Sequence, residues 1–170
     1  MSRVQTLFAE MPVIAEIRAH AIYRFQMERL AACEERRAFC THGPDHLASV
    51  ARIAYIHVLE QGISYRKDVV YAAAFLHDIG KADQYEHGTP HEEAGARYAW
   101  EILEGIDAFT ADEKDAIVTA VREHRRFSED SSELGRILYA ADKASRLCFD
   151  CAARTECSWS DTEKNLEVKI

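Results

Sequence analysis

Tyr71-Ala72-Ala73-Ala74-Phe75-Leu76-His77-Asp78-Ile79-Gly80-Lys81 reads as an apolar helix that runs directly into an ionisable pair. An imidazole and a carboxylate at the end of so apolar a run are costly to bury unless a charged group compensates them. A divalent cation does this, because it binds neutral imidazole and ionised carboxylate. His77-Asp78 is therefore read as a metal-binding pair. Outward from it, His46, His91, His124 and Asp142 are separated by stretches of about one helix plus its loop. That spacing places the ligands on successive elements, which is how helical bundles build metal sites. An isolated helical histidine is ordinarily a core or surface residue, and His20, His42, His57 and His87 are read that way.

The rest of the chain is patterned for helices. Pro12 opens a long helix with Val13, Ile14, Ile17, Ile22 and Phe25 as its apolar stripe, reaching about Arg37. Pro44 starts a second helix carrying His46, and Gly62 ends it. A third runs from Asp68 through His77 to Gly80, and residues 82–88 read as a polar loop. Thr89 as N-cap, Pro90 at the first helical position and Glu92 as capping-box partner open the next helix, which ends at Gly105. That numbering puts His91 near a helix N-terminus, where the dipole favours a neutral imidazole. Thr110 with Glu113 opens a helix reaching His124, and Ser132 to about Leu147 is the last. No alternating strand pattern, internal repeat or low-complexity linker interrupts this, so the expected class is all-α.

The chain has 170 residues with 21 basic and 29 acidic side chains, for a net charge of −8. That balance argues against duplex nucleic acid and anionic membrane as partners. No apolar run reaches the length of a membrane span. Met1 to Glu16 contains no secretory signal, so a cytoplasmic location is expected. The expected organisation is one helical domain over 1–147, with an N-terminal extension over 1–40. A cysteine-containing tail over 148–170 is packed on the same domain, and a homodimer is left open.

His46, then His77-Asp78, then Asp142 within Ala141-Asp142-Lys143 resemble the defining motif of HD-domain metal-dependent phosphohydrolases. The resemblance spans roughly residues 40–147 and implies a helical bundle with a central metal-binding cleft. By it, His46, His77, Asp78 and Asp142 hold a first metal, while His91 and His124 hold a second, bridged by Asp78. Position 81 is Lys, so the glutamate that some single-metal members have near this spot is absent. Some dinuclear relatives have two histidines where this chain has His124-Arg125. The pattern with Lys81 looks most like bacterial dinucleoside-tetraphosphate hydrolases, and cyclic-nucleotide phosphodiesterases and nucleotidases share the framework.

Mixed imidazole and carboxylate donors suit one or two ions of Fe, Mn, Co, Ni or Zn. A metal-bound hydroxide is then the expected nucleophile and a small phosphate ester or nucleotide the expected substrate. Asp78 and Lys81 are the expected catalytic residues. Lys81, Arg125 and Arg146 are the candidates for holding phosphate, whereas Lys143 should point away from Asp142. A di-iron oxygenase of the HD type and a non-catalytic metal or redox sensor share this ligand pattern and remain alternatives.

Five cysteines in a chain expected in the cytoplasm argue against structural disulfides. Cys33, Cys40, Cys148, Cys151 and Cys157 are instead candidate thiolate ligands for zinc or an iron–sulfur cluster, with unligated thiols as the alternative. Cys148-Phe149-Asp150-Cys151, Cys157-Ser158-Trp159 and Glu163-Lys164-Asn165 resemble a tail found in certain bacterial HD-domain proteins. That likeness implies no activity.

Overall fold

A computed structural model describes residues 9–169, and among these every regular element is helical. In chain order they are α1 (Pro12–Ala19), α2 (Ala21–Glu34), α3 (Pro44–Glu60), α4 (Lys67–Leu76), α5 (Lys81–His87), α6 (His91–Glu104), α7 (Ala111–Glu123), α8 (Glu133–Ala144) and the short 3-10 turn η1 (Cys148–Asp150). The all-α expectation holds. Residues 1–8 of the expected N-terminal extension lie outside the described residues, as does Ile170.

The central element is α4. It packs on α1, α3, α7 and α8, and its Ala72, Ala73, Ala74 and Leu76 are fully buried. A helix apolar on all sides is one that neighbours must enclose. Small alanine side chains also let those neighbours approach closely. The turn at Gly62 makes α3 and α4 an antiparallel pair: Ile63 N–H donates to the Val58 carbonyl and Gly62 N–H to that of Leu59. Gly62 sits at φ 64°, the left-handed conformation such a helix end requires. α6 with α7, and α7 with α8, continue the bundle.

Several expectations are corrected. The first long helix breaks at His20, whose backbone is extended (φ −60°, ψ 137°) and whose ring accepts a hydrogen bond from Ile22 N–H. The break resets the buried face, so Phe25 is 59% exposed and Tyr23, Gln26, Leu30 and Glu34 point inward. Residues 82–88 are not a loop, because α5 occupies Lys81–His87. Its polarity misleads: Asp83 and Glu86 face Arg29 of α2 at 3.5 and 2.5 Å, and Tyr85 donates to Glu34.

The helix expected to be capped by Thr89 starts one residue later. Pro90 is its N-cap and His91 its first residue. Glu92 does not turn back to the cap, because its carboxylate is bound by Arg125. The last long helix ends at Ala144, short of Leu147. The Thr110–Glu113 capping box forms as read.

One close approach aligns the two halves of the site. A Cβ built on Gly80 would lie 2.3 Å from the His91 carbonyl oxygen and 2.4 Å from the Gly95 nitrogen. The turn after α4 therefore rests directly on the backbone of α6, and only glycine fits there. Gly80→Ala is expected to lower stability by about 3 kcal/mol, because backbone cannot yield as a side chain can. Chemical denaturation of the metal-free protein measures this, and an unchanged midpoint would refute the close contact.

Candidate metal centre

Each ligand candidate sits at an element end or just beyond it. His46 is in the first turn of α3, and His77 and Asp78 occupy the turn that follows α4. His91 opens α6, His124 caps the C-terminus of α7, and Asp142 lies in the last turn of α8. Burial is nearly complete: the His77 side chain is 0% exposed, Asp78 4% and His46 7%.

Asp78 is the centre of the arrangement, and its two oxygens face different partners. Oδ2 lies 3.0 Å from His77 Nε2 and 3.4 Å from His46 Nε2. Oδ1 lies 3.5 Å from His91 Nε2 and 3.8 Å from His124 Nε2. Asp142 joins the first group, with Oδ1 3.2 Å from His46 Nε2 and 3.9 Å from His77 Nε2. Two groups with metal-ligand spacing result: His46, His77, Asp78 and Asp142, and Asp78, His91 and His124. They share only Asp78.

The imidazoles are oriented as ligands. His77 Nδ1 donates to the Ala74 carbonyl at 2.7 Å and His124 Nδ1 to that of Val121 at 2.6 Å. His91 Nδ1 donates to Gln84 Oε1 at 2.5 Å. The Ser145 hydroxyl donates to the Asp142 carbonyl and accepts from His46 Nδ1 at 3.2 Å. With the proton committed at Nδ1, every ring presents an Nε2 lone pair to the carboxylates, the usual outer-shell arrangement of metal-binding histidines.

That leaves lone pairs facing one another. His91 Nε2 and His124 Nε2 are 3.1 Å apart, and His77 Nε2 is buried without a hydrogen-bond partner. Acceptors so crowded call for a cation among them. The residues present fit a divalent transition metal in each group.

The charge states agree. Burial opposes ionisation of Asp78, and positive charge or N–H donation from the His77, His124 and His46 rings would hold its carboxyl well below the usual range, the part that a cation takes over where these rings are neutral. Asp142 is likewise held low against its burial, first by the His46 hydrogen bond. Burial, then the Lys81 charge, depress His91 to about 2. Desolvation rather than the helix dipole keeps this ring neutral.

A pH dependence of the metal-free protein follows. The unfolded chain protonates His91 near pH 6.5, while the folded chain does so only near 2. Below pH 6.5 the unfolded state binds more protons, so stability falls as pH falls, with a slope approaching about 1.4 kcal/mol per unit from this one group. Urea titrations of chelator-treated protein at pH 7, 6 and 5 should show the midpoint dropping. A flat midpoint would contradict a neutral, buried His91.

Above the ligands opens a cavity of about 480 Å³. Lys81 lies on its floor, with Nζ 4.0 Å from Asp78 Oδ1. Burial lowers its pKa, and Asp78 and Asp142 oppose that. Arg146 reaches in as expected, with a guanidinium nitrogen 3.3 Å from Asp142 Oδ1 and 3.0 Å from His46 Nε2. Arg125 lines the cavity, but both Glu92 oxygens bind it at 3.1 Å, which limits what it can offer a ligand.

Lys143 corrects the sequence reading. It curls back, donates to Asp142 Oδ2 at 3.0 Å and lies over the rings of Tyr139 and Trp159. The tail's Trp159 holds it there, a contact that helical geometry alone does not reveal. His42 was also missed as a cavity residue. It is buried, its ring nitrogen Nδ1 is bonded to Glu34, and it lines the cavity beside His46. Cys33 is not part of the cavity wall: its thiol meets Glu86 at 3.7 Å.

Comparison with known proteins gives the class. The family model of the HD domain matches residues 45–147, and the chain belongs to the HD-domain family. An uncharacterized protein of Clostridium beijerinckii is 38% identical over 146 residues, spanning 86% of this chain and 91% of that one. The crystal structure of a predicted HD superfamily hydrolase from an uncultured Thermotogales bacterium shares the fold. Its TM-score is 0.59 at 22% identity, covering 92% of this chain and 88% of that one. Among the described residues no helix is long and apolar enough to cross a membrane.

Proposed function

We propose that this protein is a metal-dependent phosphohydrolase that cleaves a small phosphate ester or nucleotide. The observation that carries this reading is the pairing of two ligand groups joined through Asp78 with a cavity whose other charged side chains are mostly cations. Lys81, Lys143, Arg146, Arg37, Arg154 and Lys164 line it in a chain of net charge −8. Cations concentrated in one cavity of an acidic protein favour an anionic ligand.

His46, His77, Asp78 and Asp142 would hold one metal, and Asp78, His91 and His124 another. When bound, such ions supply Lewis acidity to a phosphoryl oxygen and acidify a water to near-neutral pKa. The chain supplies the rest. Lys81 and Arg146 lie beside Asp78 and Asp142, where they bind and orient phosphate oxygens. Arg146 is positioned by the Thr41 carbonyl at 2.9 Å. Lys143 holds further negative charge on the Trp159 side. The likeness to a predicted hydrolase is consistent with this chemistry.

The test is phosphate release from a panel of mononucleotides, cyclic nucleotides, dinucleoside polyphosphates and sugar phosphates by protein loaded with Mn²⁺, Fe²⁺ or Co²⁺. Lys81→Ala is expected to reduce kcat/KM on the best substrate by about 10²-fold, the scale of losing one charge-assisted contact in a desolvated site. No hydrolysis of any phosphate compound by metal-loaded protein would overturn the reading and favour a sensing role.

A further inference from the structure

Cys40, Cys148, Cys151 and Cys157 line the same cavity as the imidazole–carboxylate centre, and none of them belongs to its ligand groups. Cys40 precedes α3, and the other three come from the tail. η1 places Cys148 and Cys151 on one tight turn, closed by Cys151 N–H to the Cys148 carbonyl at 3.4 Å and continued by Arg154 N–H to that of Cys151 at 3.1 Å. Desolvation raises the Cys40 thiol, Arg146 opposes this, and Cys151, Cys148 and Cys157 each push it further up. All four thiols line one cavity, Cys40 at its exposed edge and Cys148 buried.

The tail has little else to order it. Its buried residues among those described are Cys148, Ala153 and Asn165. Asn165 anchors one point, donating to the Lys143 carbonyl in the last turn of α8 and to the Arg146 carbonyl just beyond it, and Phe149 N–H donates to the Asn165 carbonyl. A segment with so small a core requires a cross-link.

The thiols' spacing selects among cross-links. A single zinc with four thiolates at about 2.3 Å would draw the sulfurs to within about 4 Å of one another. Among the described residues no three cysteine sulfurs lie within 4.8 Å of one another. An iron–sulfur cluster carries its thiolates on separate irons and accepts a wider frame. Arg37, Arg146 and Arg154 line the same cavity and offset the negative charge of four thiolates.

We propose that Cys40, Cys148, Cys151 and Cys157 hold a four-iron cluster that staples the tail across the cavity. Assembly takes two ferrous ions, two ferric ions and four sulfides from outside, and the four thiols lose their protons to solvent. The cluster shares a cavity with the imidazole–carboxylate centre but no ligand, so it stands or falls independently of the phosphohydrolase reading.

The experiment is anaerobic reconstitution of the full chain with ferrous and ferric iron and sulfide in a His77→Ala/Asp78→Ala background, which removes iron bound by imidazole and carboxylate. The expected result is about four irons and four acid-labile sulfides per chain, with a broad visible absorbance bleached by dithionite. Cys148→Ser/Cys151→Ser should lose both. Cys40→Ser lies outside the tail and decides the matter if the double variant fails to fold: it too should lose the labile sulfide, while Cys33→Ser keeps all of it. No labile sulfide in the background protein, one zinc per chain without sulfide, or full sulfide in Cys40→Ser would each overturn the proposal.

Discussion

Asp78→Ala is expected to release metal from both groups at once and to lower phosphohydrolase activity by at least about 10⁴-fold, or about 5.5 kcal/mol of barrier. The reason is geometric. Oδ2 belongs to the His46–His77 group and Oδ1 to the His91–His124 group, so one truncation removes a ligand from each and the only one they share. The fold should survive, because the side chain contributes no apolar contact to the core and its loss relieves a buried charge in the metal-free state. Elemental analysis beside circular dichroism separates the outcomes. Metal other than iron accompanied by acid-labile sulfide should fall from about two ions to near zero while helicity is retained. A variant that keeps full activity would remove Asp78 from the chemistry altogether.

His91→Ala/His124→Ala should act on one group alone. Their Nε2 atoms face each other and Oδ1 of Asp78, whereas His46, His77 and Asp142 remain in place around Oδ2. The expected result is loss of one metal of two and a fall in kcat of about 10³-fold, since a paired site clamps the attacking and leaving oxygens together and a single ion clamps one. Metal content measured against kcat decides it. Two ions retained in the double variant would mean that these histidines are not ligands, and unchanged kcat with one ion would mean that the second metal is structural.

The sequence was legible where one residue type admits one physical role. His77-Asp78 after an all-apolar run, with Gly80 beyond it, announced both the buried central helix and the buried ionisable pair at its end. The Thr110–Glu113 box formed as its chemistry requires. Illegible were polar residues whose partners are distant in the chain. α5 looked like a loop because its carboxylates pair with Arg29 of α2, and α2 hid its inward face because that face includes Gln26 and Glu34. Lys143 was placed wrongly since helical phase alone ignores Trp159. The six ligand candidates came together, but Cys33 and Cys40 parted, because α2 turns the first toward Glu86.

The ligands of the first group have a history in time as well as a place in space. His46 stands in the first turn of α3 and Asp142 in the last turn of α8, near the opposite ends of the stretch that defines the family. Residues so far apart in the chain meet only after the intervening helices have docked, and such long-range closure is the slow part of folding. A growing polypeptide therefore offers its His-Asp pair long before it can complete a site. Metal capture would come last and act as a latch on the finished bundle: an ion held between His46 and Asp142 would have to leave before α3 or α8 could peel away.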